Sequence, residues 1–572
     1  MVATVVDKLL RSDVLDEQAA LQVREKLNRG RSFCEALRLA GVAEERPLRF
    51  IAEVLGLAYV ELENQTLSKE FLSQFPAKTL LDRHILPLQD DRGLLAVTND
   101  PFDNTAMDEL RMATGKDFEL ALAPLSDIDR CLKRSLGVGA DTVQSMISQA
   151  GEDGLQVIDA DPEDDMDLTE AAEGATIIKF VNQVLTEAIE LRATDVHIEP
   201  FEDELRVRYR IDGVLQQASV AREVKQFQAA IVSRLKILSK LDIAEKRVPQ
   251  DGRITIRVAD REIDVRVSVI PMLYGEAVVL RLLDRLSVLL DLETLGMSQG
   301  DLKITKTLLE RPHGIILVTG PTGSGKTTTL YAALSRINDI QRKIITIEDP
   351  IEYQLNGVNQ IQVSRKAGLT FAGGLRSILR HDPDIVLVGE IRDVETAEIA
   401  IQASLTGHLV FSTLHTNDAP SALTRLVDMG IEPYLVASSL EAICAQRLVR
   451  VICRECKEPI AADEVRRLKK EYGDALPDTM YAGKGCRSCQ GTGYKGRIGI
   501  FELMAVTDEI RSMILESVSS PELRRVAMNE GMTSLRQDGF RHLREGRTTI
   551  QEILRVTKDD QFSKNGVYGK AG

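Results

Sequence analysis

Eight consecutive residues, Gly320-Pro321-Thr322-Gly323-Ser324-Gly325-Lys326-Thr327, fit the spacing G-x4-G-K-[ST] and carry the most specific chemistry in the chain. Glycines at these positions let successive backbone N–H groups turn inward around phosphate oxygens, and a helix opening at the lysine adds its positive N-terminal end. Lys326 would then place a point charge on the β and γ phosphates, and the hydroxyl of Thr327, followed by Thr328, would reach Mg2+. Without flanking structure the pattern is only a glycine-rich turn. Here the apolar run IILVT precedes it and TTLYAALSRI, helical in pattern, follows, so context and spacing agree.

Two more apolar runs end in acids. The strand expected at 344–347 delivers Glu348, Asp349 and Glu352 into the loop beyond its C-terminal end, where open α/β sheets bind ligands and a carboxylate can orient an attacking water. The strand expected at 385–388 delivers Glu390, placed to hold Mg2+ directly or through water. Each would be an ordinary surface acid alone; acids at two strand ends beside a phosphate loop form a constellation. His408 and His415 bracket the strand LVFSTL and join the candidates because imidazole titrates near neutrality.

A second chemistry lies further on. Cys453-x2-Cys456 and Cys486-x2-Cys489 are separated by 29 residues. Each pair can put two thiolates on one tight turn, and two turns complete the tetrahedral S4 set that Zn2+ accepts, with no open position and so a structural role. Cys34, Cys131 and Cys444 read as small buried residues.

The elements that must position these groups alternate: GIILVTG, a helix from Lys326, KIITIED, DIVLVGEI, a helix from Val394, and HLVFSTLH. Short continuous apolar runs between turns are the pattern of parallel strands buried on both faces, which predicts a doubly wound α/β domain. Upstream, helical IIKFVNQVLTEAIELR precedes the alternating strands ELRVRYRI and ITIRVADREIDVRVSVI, an α+β domain. Before that, apolar helical spacing at Leu37, Ala40, Leu48, Ile51, Val54 and Leu55, then LLAVTND and DNTAMDELRMATG, read as another. No fixed-period repeat is visible.

The 572 residues suit roughly three to five domains. With 44% hydrophobic and 28% charged residues and a mean hydropathy of −0.10, disordered and fibrous classes are excluded. No run approaches the ~18 apolar residues of a membrane span. The start MVATVVDKLLRSDVLDEQ lacks a signal peptide's apolar core, so a cytosolic location is expected. Net charge is −15, and ten acids between Glu152 and Glu173 account for most of it. No Lys or Arg interrupts Arg134 to Lys179, so this stretch is expected to be an extended linker. The acidic balance and the lack of a basic-aromatic face argue against nucleic acid as a partner.

The runs GPTGSGKTTTLYAAL, ITIEDPIEY, DPDIVLVGEIRD and TGHLVFSTLHTNDA resemble the Walker A, Asp box, Walker B and His box of the secretion ATPase superfamily. ATDVHIEP, RVRYRIDG, RVPQDGR and VSVIPMLYGEAVVLR are similar to the second N-terminal domain of the assembly ATPases of type II secretion and type IV pili. Retraction ATPases of that superfamily lack the long N-terminal module and the tetracysteine segment that this chain has.

The resemblance implies a hexamer whose nucleotide sits between two domains and near a neighbouring subunit. It makes Glu352 the catalytic carboxylate and Glu390 the Walker B acid. It also puts Arg266, Arg281, Arg376 and Arg380 at positions that approach the phosphates, where arginine stabilises charge on a transferring phosphoryl group. The segment SFCEALRLAGVAEERPLRFIAEVLGLAYVEL is similar to a module that in some relatives binds cyclic di-GMP. Ser32-Phe33-Cys34 stand where that motif begins R-L-G, and its terminal Gln is replaced near Val54. Docking on a cytoplasmic domain of a membrane-anchored secretion or pilus protein is expected instead.

The expected layout is α/β multidomain: a docking domain (1–134), an acidic linker (135–174), a PAS-like α+β domain (175–290) and a RecA-like P-loop ATPase core (291–450). A zinc element (451–497), a C-terminal helical region (498–560) and a tail (561–572) complete it. The function implied is a cytoplasmic hexameric ATPase acting with ATP, Mg2+ and Zn2+. Attached to the inner membrane through a platform protein, it would power pseudopilus assembly in type II secretion. Type IV pilus extension, a nucleic-acid motor and a scaffold with an inert site are the alternatives.

Overall fold

The computed structural model describes residues 2–136, 156–157, 168–284 and 291–557, apart from 13, 30, 63–66, 68, 73, 76–78, 81–82, 91–92, 219, 221, 259–260 and 474–475. The chain divides into two compact units, Met1–Asp284 and Arg285–Gly572.

The first unit opens with helices Val2–Arg11, Glu17–Asn28, Phe33–Leu39 and Glu45–Leu55. Asp16 and Ser32 cap two of them by accepting the N–H groups of Ala19 (2.7 Å) and Glu35 (3.3 Å). Their apolar faces close over Val6, Leu9, Val23, Phe33, Leu37, Leu48 and Ile51. Val54 and Leu55 are exposed, because they fall in the last turn, ended by Gly56 at φ 69°. A four-stranded sheet follows, built from β1 (Ala58–Tyr59), β2 (Leu86–Asp90), β3 (Gly93–Thr98) and β4 (Glu119–Leu122) in the order β1-β4-β3-β2.

The helix Leu168–Glu190 begins inside the stretch expected to be linker. LTEAAEGA is rich in Ala, Leu and Glu, and strong helix formers carry the helix into the acidic segment. Most of the rest of 135–174 lies outside the described residues. β5 (Gln156–Val157) precedes that helix and six strands follow it, β6 (Ala193–Pro200), β7 (Leu205–Ile211), β8 (Val214–Gln217), β9 (Gln250–Val258), β10 (Arg261–Met272) and β11 (Gly275–Asp284). Their order is β5-β9-β10-β11-β6-β7-β8. Alternate residues such as Ile254, Val265, Val267, Val278, Leu280, Val196 and Val207 bury one face with that helix and Gln228–Leu238, leaving the polar set on the other.

The second unit is built on β12 (Gly314–Thr319), β13 (Ile344–Glu348), β14 (Asn359–Gln362), β15 (Ile385–Val388), β16 (Leu409–Leu414), β17 (Leu440–Ile452) and β20 (Tyr494–Ala505). The order is β14-β13-β15-β16-β12-β17-β20; six strands are parallel and β20 pairs antiparallel with β17. Ile315 and Leu317 join the core on one face with helices Phe371–Ile378, Val394–Leu405 and Ala419–Asp428. Ile316 and Val318 join the core on the other with helices Gln299–Leu309 and Lys326–Ile337. Burial on both faces is why the strand sequences read as continuous apolar runs.

Two expectations change. The sheet does not end near 450 but takes in 494–505, so the region expected to be helical from 498 opens on a strand before helices Asp508–Leu515, Ser520–Asn529, Leu535–Arg544 and Ile550–Val556. Cys444 pairs with Leu503 and Val449 with Ile498 across that ladder, a long-range pairing that local periodicity does not reveal. The cysteine segment is therefore an insertion between β17 and β20, carrying the small sheet β18 (Lys457–Pro459) and β19 (Tyr481–Gly483) and the helix Ala462–Tyr472. The tail 561–572 lies outside the described residues.

Candidate functional site

β12 lies between β16 and β17, so its C-terminal end opens at the middle of the sheet edge where ligands of such folds bind. There the chain turns through Gly320, Gly323 and Gly325, all at positive φ. A Cβ on Gly325 would lie 2.8 Å from Gln446 Nε2, and one on Gly320 2.6 Å from the carbonyl of Gln446, so β17 admits only glycine at both. The helix Lys326–Ile337 starts at Gly325 with no side-chain cap, leaving its first N–H groups for an anion. Ser324 Oγ is buried without a partner among the described residues. Thr327 and Thr328 are half-buried. Lys326 Nζ donates to the carbonyls of Gly320 (2.8 Å) and Pro321 (3.2 Å). Burial, opposed by Glu390 and reinforced by Arg447, brings its pKa down to about 8. The donor set, uncapped helix start and orphaned hydroxyl fit the phosphates of a nucleotide.

Glu390 sits two residues past β15, fixed by Ser412 Oγ donating to Val388 O (2.8 Å) and Thr413 Oγ1 to Gly389 O (2.7 Å). Its carboxylate meets Arg392 at 2.6 Å and His415 Nε2 at 3.2 Å. Burial opposes ionisation, but Arg392 and then His415 outweigh it and hold the carboxyl below its ordinary range. Glu348, the last residue of β13, is buried and fully bonded. Its Oε2 accepts from Tyr331 Oη (2.6 Å), and Oε1 accepts from Thr346 Oγ1 (2.7 Å) and Gln360 Nε2 (3.2 Å). Asp349 is exposed and joined to Pro350 by a cis bond, and Glu352 is half-buried. The loop carrying both hangs from the same network. Gln360 Nε2 donates to Tyr353 O (3.0 Å) and its Oε1 accepts from Leu355 N (2.8 Å), while the N–H groups of Tyr353 and Glu352 face the Tyr331 hydroxyl.

The two histidines part company. β16 runs parallel to β12, with Gly314 opposite Leu409 and Thr319 opposite Leu414. His415 therefore emerges at the phosphate-loop end, and His408 at the far end, six strand residues or about 20 Å away. His408 Nδ1 is bound to Ala403 O at 2.8 Å, so it is a structural residue of the helix-to-strand turn and leaves the site. Arg376 pairs with Glu395 (2.6 Å), and Arg380 donates to the carbonyl of Arg376 (3.0 Å) and to Ser377 Oγ (3.2 Å).

Arg266 and Arg281 belong to the first unit, paired across β10 and β11. Register extends them into a row across the polar face, Arg253, Arg266, Arg281, Asp195 and Arg210. Asp195 is nearly buried and binds Arg281 Nε at 2.9 Å, with Arg210 Nε at 3.6 Å.

All four sulfurs of Cys453, Cys456, Cys486 and Cys489 lie within 4.8 Å of one another. Cys453 to Cys486, Cys456 to Cys489 and Cys486 to Cys489 are each 3.7 Å. A tetrahedron with Zn–S bonds of ~2.3 Å has edges of about 3.8 Å, so the set fits. The N–H groups of Cys486 (3.1 Å) and Gly493 (3.3 Å) point at Cys489 Sγ. They outweigh burial and bring that thiol down to about 7.

Sequence reasoning missed Tyr331, Gln360, Arg392, Gln446 and Arg447. A signal existed for the last two, since Gln and Arg interrupt the otherwise apolar ICAQRLVRVI.

The pattern of the family described as "Type II/IV secretion system protein" matches residues 170–555, and that of the MshEN domain matches 55–141. The chain is 55% identical over 394 residues to a protein named type II secretion system protein E of Pseudomonas aeruginosa, covering 69% of this chain and 78% of that one. It is 45% identical to a protein of the same name in Xanthomonas campestris pv. campestris, over 91% and 92% of the two chains. It is 41% identical to the type IV pilus assembly ATPase PilB of Myxococcus xanthus, over 97% and 99%. In fold it is similar to the Legionella pneumophila ATPase DotB, with a TM-score of 0.50 and 21% identity over 66% of this chain and 95% of that one.

Proposed function

The chain belongs to the type II/IV secretion system protein family, and we propose from that premise that it hydrolyses ATP as a cytoplasmic homohexamer. The work drives pseudopilus assembly in type II secretion through an inner-membrane platform protein, with the N-terminal domain docked on a cytoplasmic domain of a membrane-anchored partner. The supporting observation is that Lys326, at an uncapped helix start, and Glu390 stand beyond the C-terminal ends of β12 and β15, the parallel strands on either side of β16, close enough for Glu390 to act on the lysine's charge. Among the described residues no helix is long and apolar enough to cross a membrane.

In this reading Lys326 and the loop N–H groups hold the β and γ phosphates. Thr327 and Glu390 hold Mg2+, which when bound neutralises phosphate charge. Glu352 orients the attacking water, and Glu348 and Asp349 shape the loop that carries it. His415 and Arg392 set the ionisation of Glu390. Arg266 and Arg281, together with Arg376 and Arg380, supply positive charge to the transferring phosphoryl group. The four cysteines hold a structural Zn2+.

The test is ATPase activity against protein concentration for wild type and Glu352→Gln, with particle size measured on the same samples. Activity that rises with ring assembly and is lost in the variant supports the reading. Activity independent of assembly, or surviving the variant, removes the trans-subunit mechanism or the assignment of Glu352. Type IV pilus assembly is the second reading, favoured by the match to PilB along nearly the whole chain. Loss of piliation with secretion intact in a strain lacking the protein would select it.

A further inference from the structure

β17 runs beside β12 with Thr319 opposite Ala445, so Gln446 and Arg447 are level with the first residues of the phosphate loop. Gln446 is buried and its Oε1 accepts from Thr329 Oγ1 at 2.8 Å, just inside the helix that follows the loop. Arg447 is 8% exposed. Its Nη1 donates to Gln446 O (2.9 Å), and its Nη2 donates to Asn417 O (2.9 Å) and Oδ1 (3.2 Å). A Cβ on Gly320 would lie 3.0 Å from that Nη1, so the guanidinium rests against the first glycine of the loop.

Every one of these partners is uncharged. The acids in range are engaged elsewhere, because Arg524 takes Asp418 (3.3 Å) and Glu502 (3.1 Å). Lys326, which senses the charge of Arg447, likewise donates to carbonyls. Glu390, whose charge also reaches Lys326, is paired with Arg392 (2.6 Å) and His415 (3.2 Å), so among the described residues the two cations share one end of the sheet with no carboxylate at salt-bridge distance from either. A buried charge is costly unless a counter-charge arrives, and polyanionic phosphate is what the neighbouring loop is shaped to take.

We propose that Arg447 is a positioning residue of the phosphate site, a second fixed positive charge whose counter-ion is the bound nucleotide, clamping Gly320 to the Asn417 turn from behind the loop. This rests on the nucleotide reading of that loop. Arg447 does not touch phosphate; it acts through Gly320 and through its field, which a buried site screens weakly.

The experiment uses the full chain, with Mg·ADP as the probe, for wild type, Arg447→Gln and Arg447→Lys. Calorimetric affinity, thermal melting with and without ADP, and steady-state kcat and KM are measured. Arg447→Gln removes the charge but keeps amide donors. It should weaken ADP binding about tenfold or more, shrink the ADP-induced rise in melting temperature, and leave the nucleotide-free protein as stable as wild type or more so. Arg447→Lys keeps the charge and loses the fork, so ADP affinity should stay near wild type while kcat falls.

A nucleotide-free Arg447→Gln protein that melts early but binds ADP as wild type would overturn the proposal and leave Arg447 a structural strut. If Arg447→Gln does not fold, Arg447→Lys decides alone: a dissociation constant raised about tenfold overturns the charge argument, and an unchanged one with lower kcat sustains it. Wild type failing to bind ADP would instead sink the nucleotide reading itself.

Discussion

Tyr331 donates its hydroxyl to Glu348 at 2.6 Å inside the core of the second unit, joining the helix after the phosphate loop to the strand that carries the acidic loop. Glu348 has the sequence position of a catalytic acid, but both of its oxygens are committed to neighbours. That makes it the anchor of the loop bearing Glu352. Tyr331→Phe would leave Glu348 Oε2 without its donor, which should cost about 1–3 kcal/mol in urea unfolding. It should also lower kcat by loosening that loop, with ADP affinity unchanged. A variant as stable and active as wild type would show the anchor to be dispensable.

Glu352→Gln should lower kcat by ~10²–10⁴-fold with little change in KM, the range for removing a group that manages protons in a transition state. Glu390→Gln should raise the Mg2+ concentration needed for half-maximal rate. His408→Ala should leave kcat close to wild type, while His415→Ala should not, because only His415 reaches Glu390. Steady-state assays across a Mg2+ titration separate these cases.

The tetracysteine cluster should hold a single Zn2+ per chain, read by elemental analysis of protein purified without added metal. Cys489→Ser should abolish it and lower the melting temperature, since metal binding free energy is folding free energy in such modules. Affinity should fall with pH as protons compete for the thiolates. A full chain with wild-type stability and no zinc would contradict the assignment.

His542 is fully buried, with Nε2 at 3.1 Å from the carbonyls of Gly296 and Gly499. Burial, and then Arg541, push its pKa down to about 4, with Glu545 opposing and Arg547 adding to the shift. Between the ordinary histidine value and about 4 the unfolded chain binds a proton that the folded chain refuses. Stability should therefore fall as pH drops through that window, by about 3 kcal/mol in full. Glu552, held at about 2 by Arg555 and Arg450 against burial, loses its own contribution only below the ordinary carboxylate range. His197, lowered by burial, and Glu502 and Asp538, raised by burial, change stability with pH in both proteins. The difference between denaturant titrations of wild type and His542→Gln from pH 6.5 to 4.5 therefore isolates the imidazole, and identical slopes would refute its role.

The local patterns of this chain determined its chemistry in outline. Phosphate-loop spacing, acids at the ends of apolar runs and two C-x2-C pairs are short-range features. A glycine's freedom, a strand's burial on both faces and a thiolate pair on one turn depend on residues near each other in sequence, and the doubly wound sheet is the one expected; bringing the two cysteine pairs within 4.8 Å of each other is a tertiary contact. Tertiary structure decided which candidates meet. His408 and His415 look equivalent at the two ends of one strand, and only the parallel alignment of β16 with β12 sends one of them away from the site. By residue type and strand-end position Glu348 and Glu352 look alike, and only the family resemblance favours the second; the packed structure adds the physical difference, since Tyr331 and Gln360 fold over Glu348. Arg447 gains its place from the pairing of β17 with β12 across more than a hundred residues. Burial and counter-charge are properties of the packed neighbourhood, set by contacts distant in sequence, so side-chain type alone could not assign them.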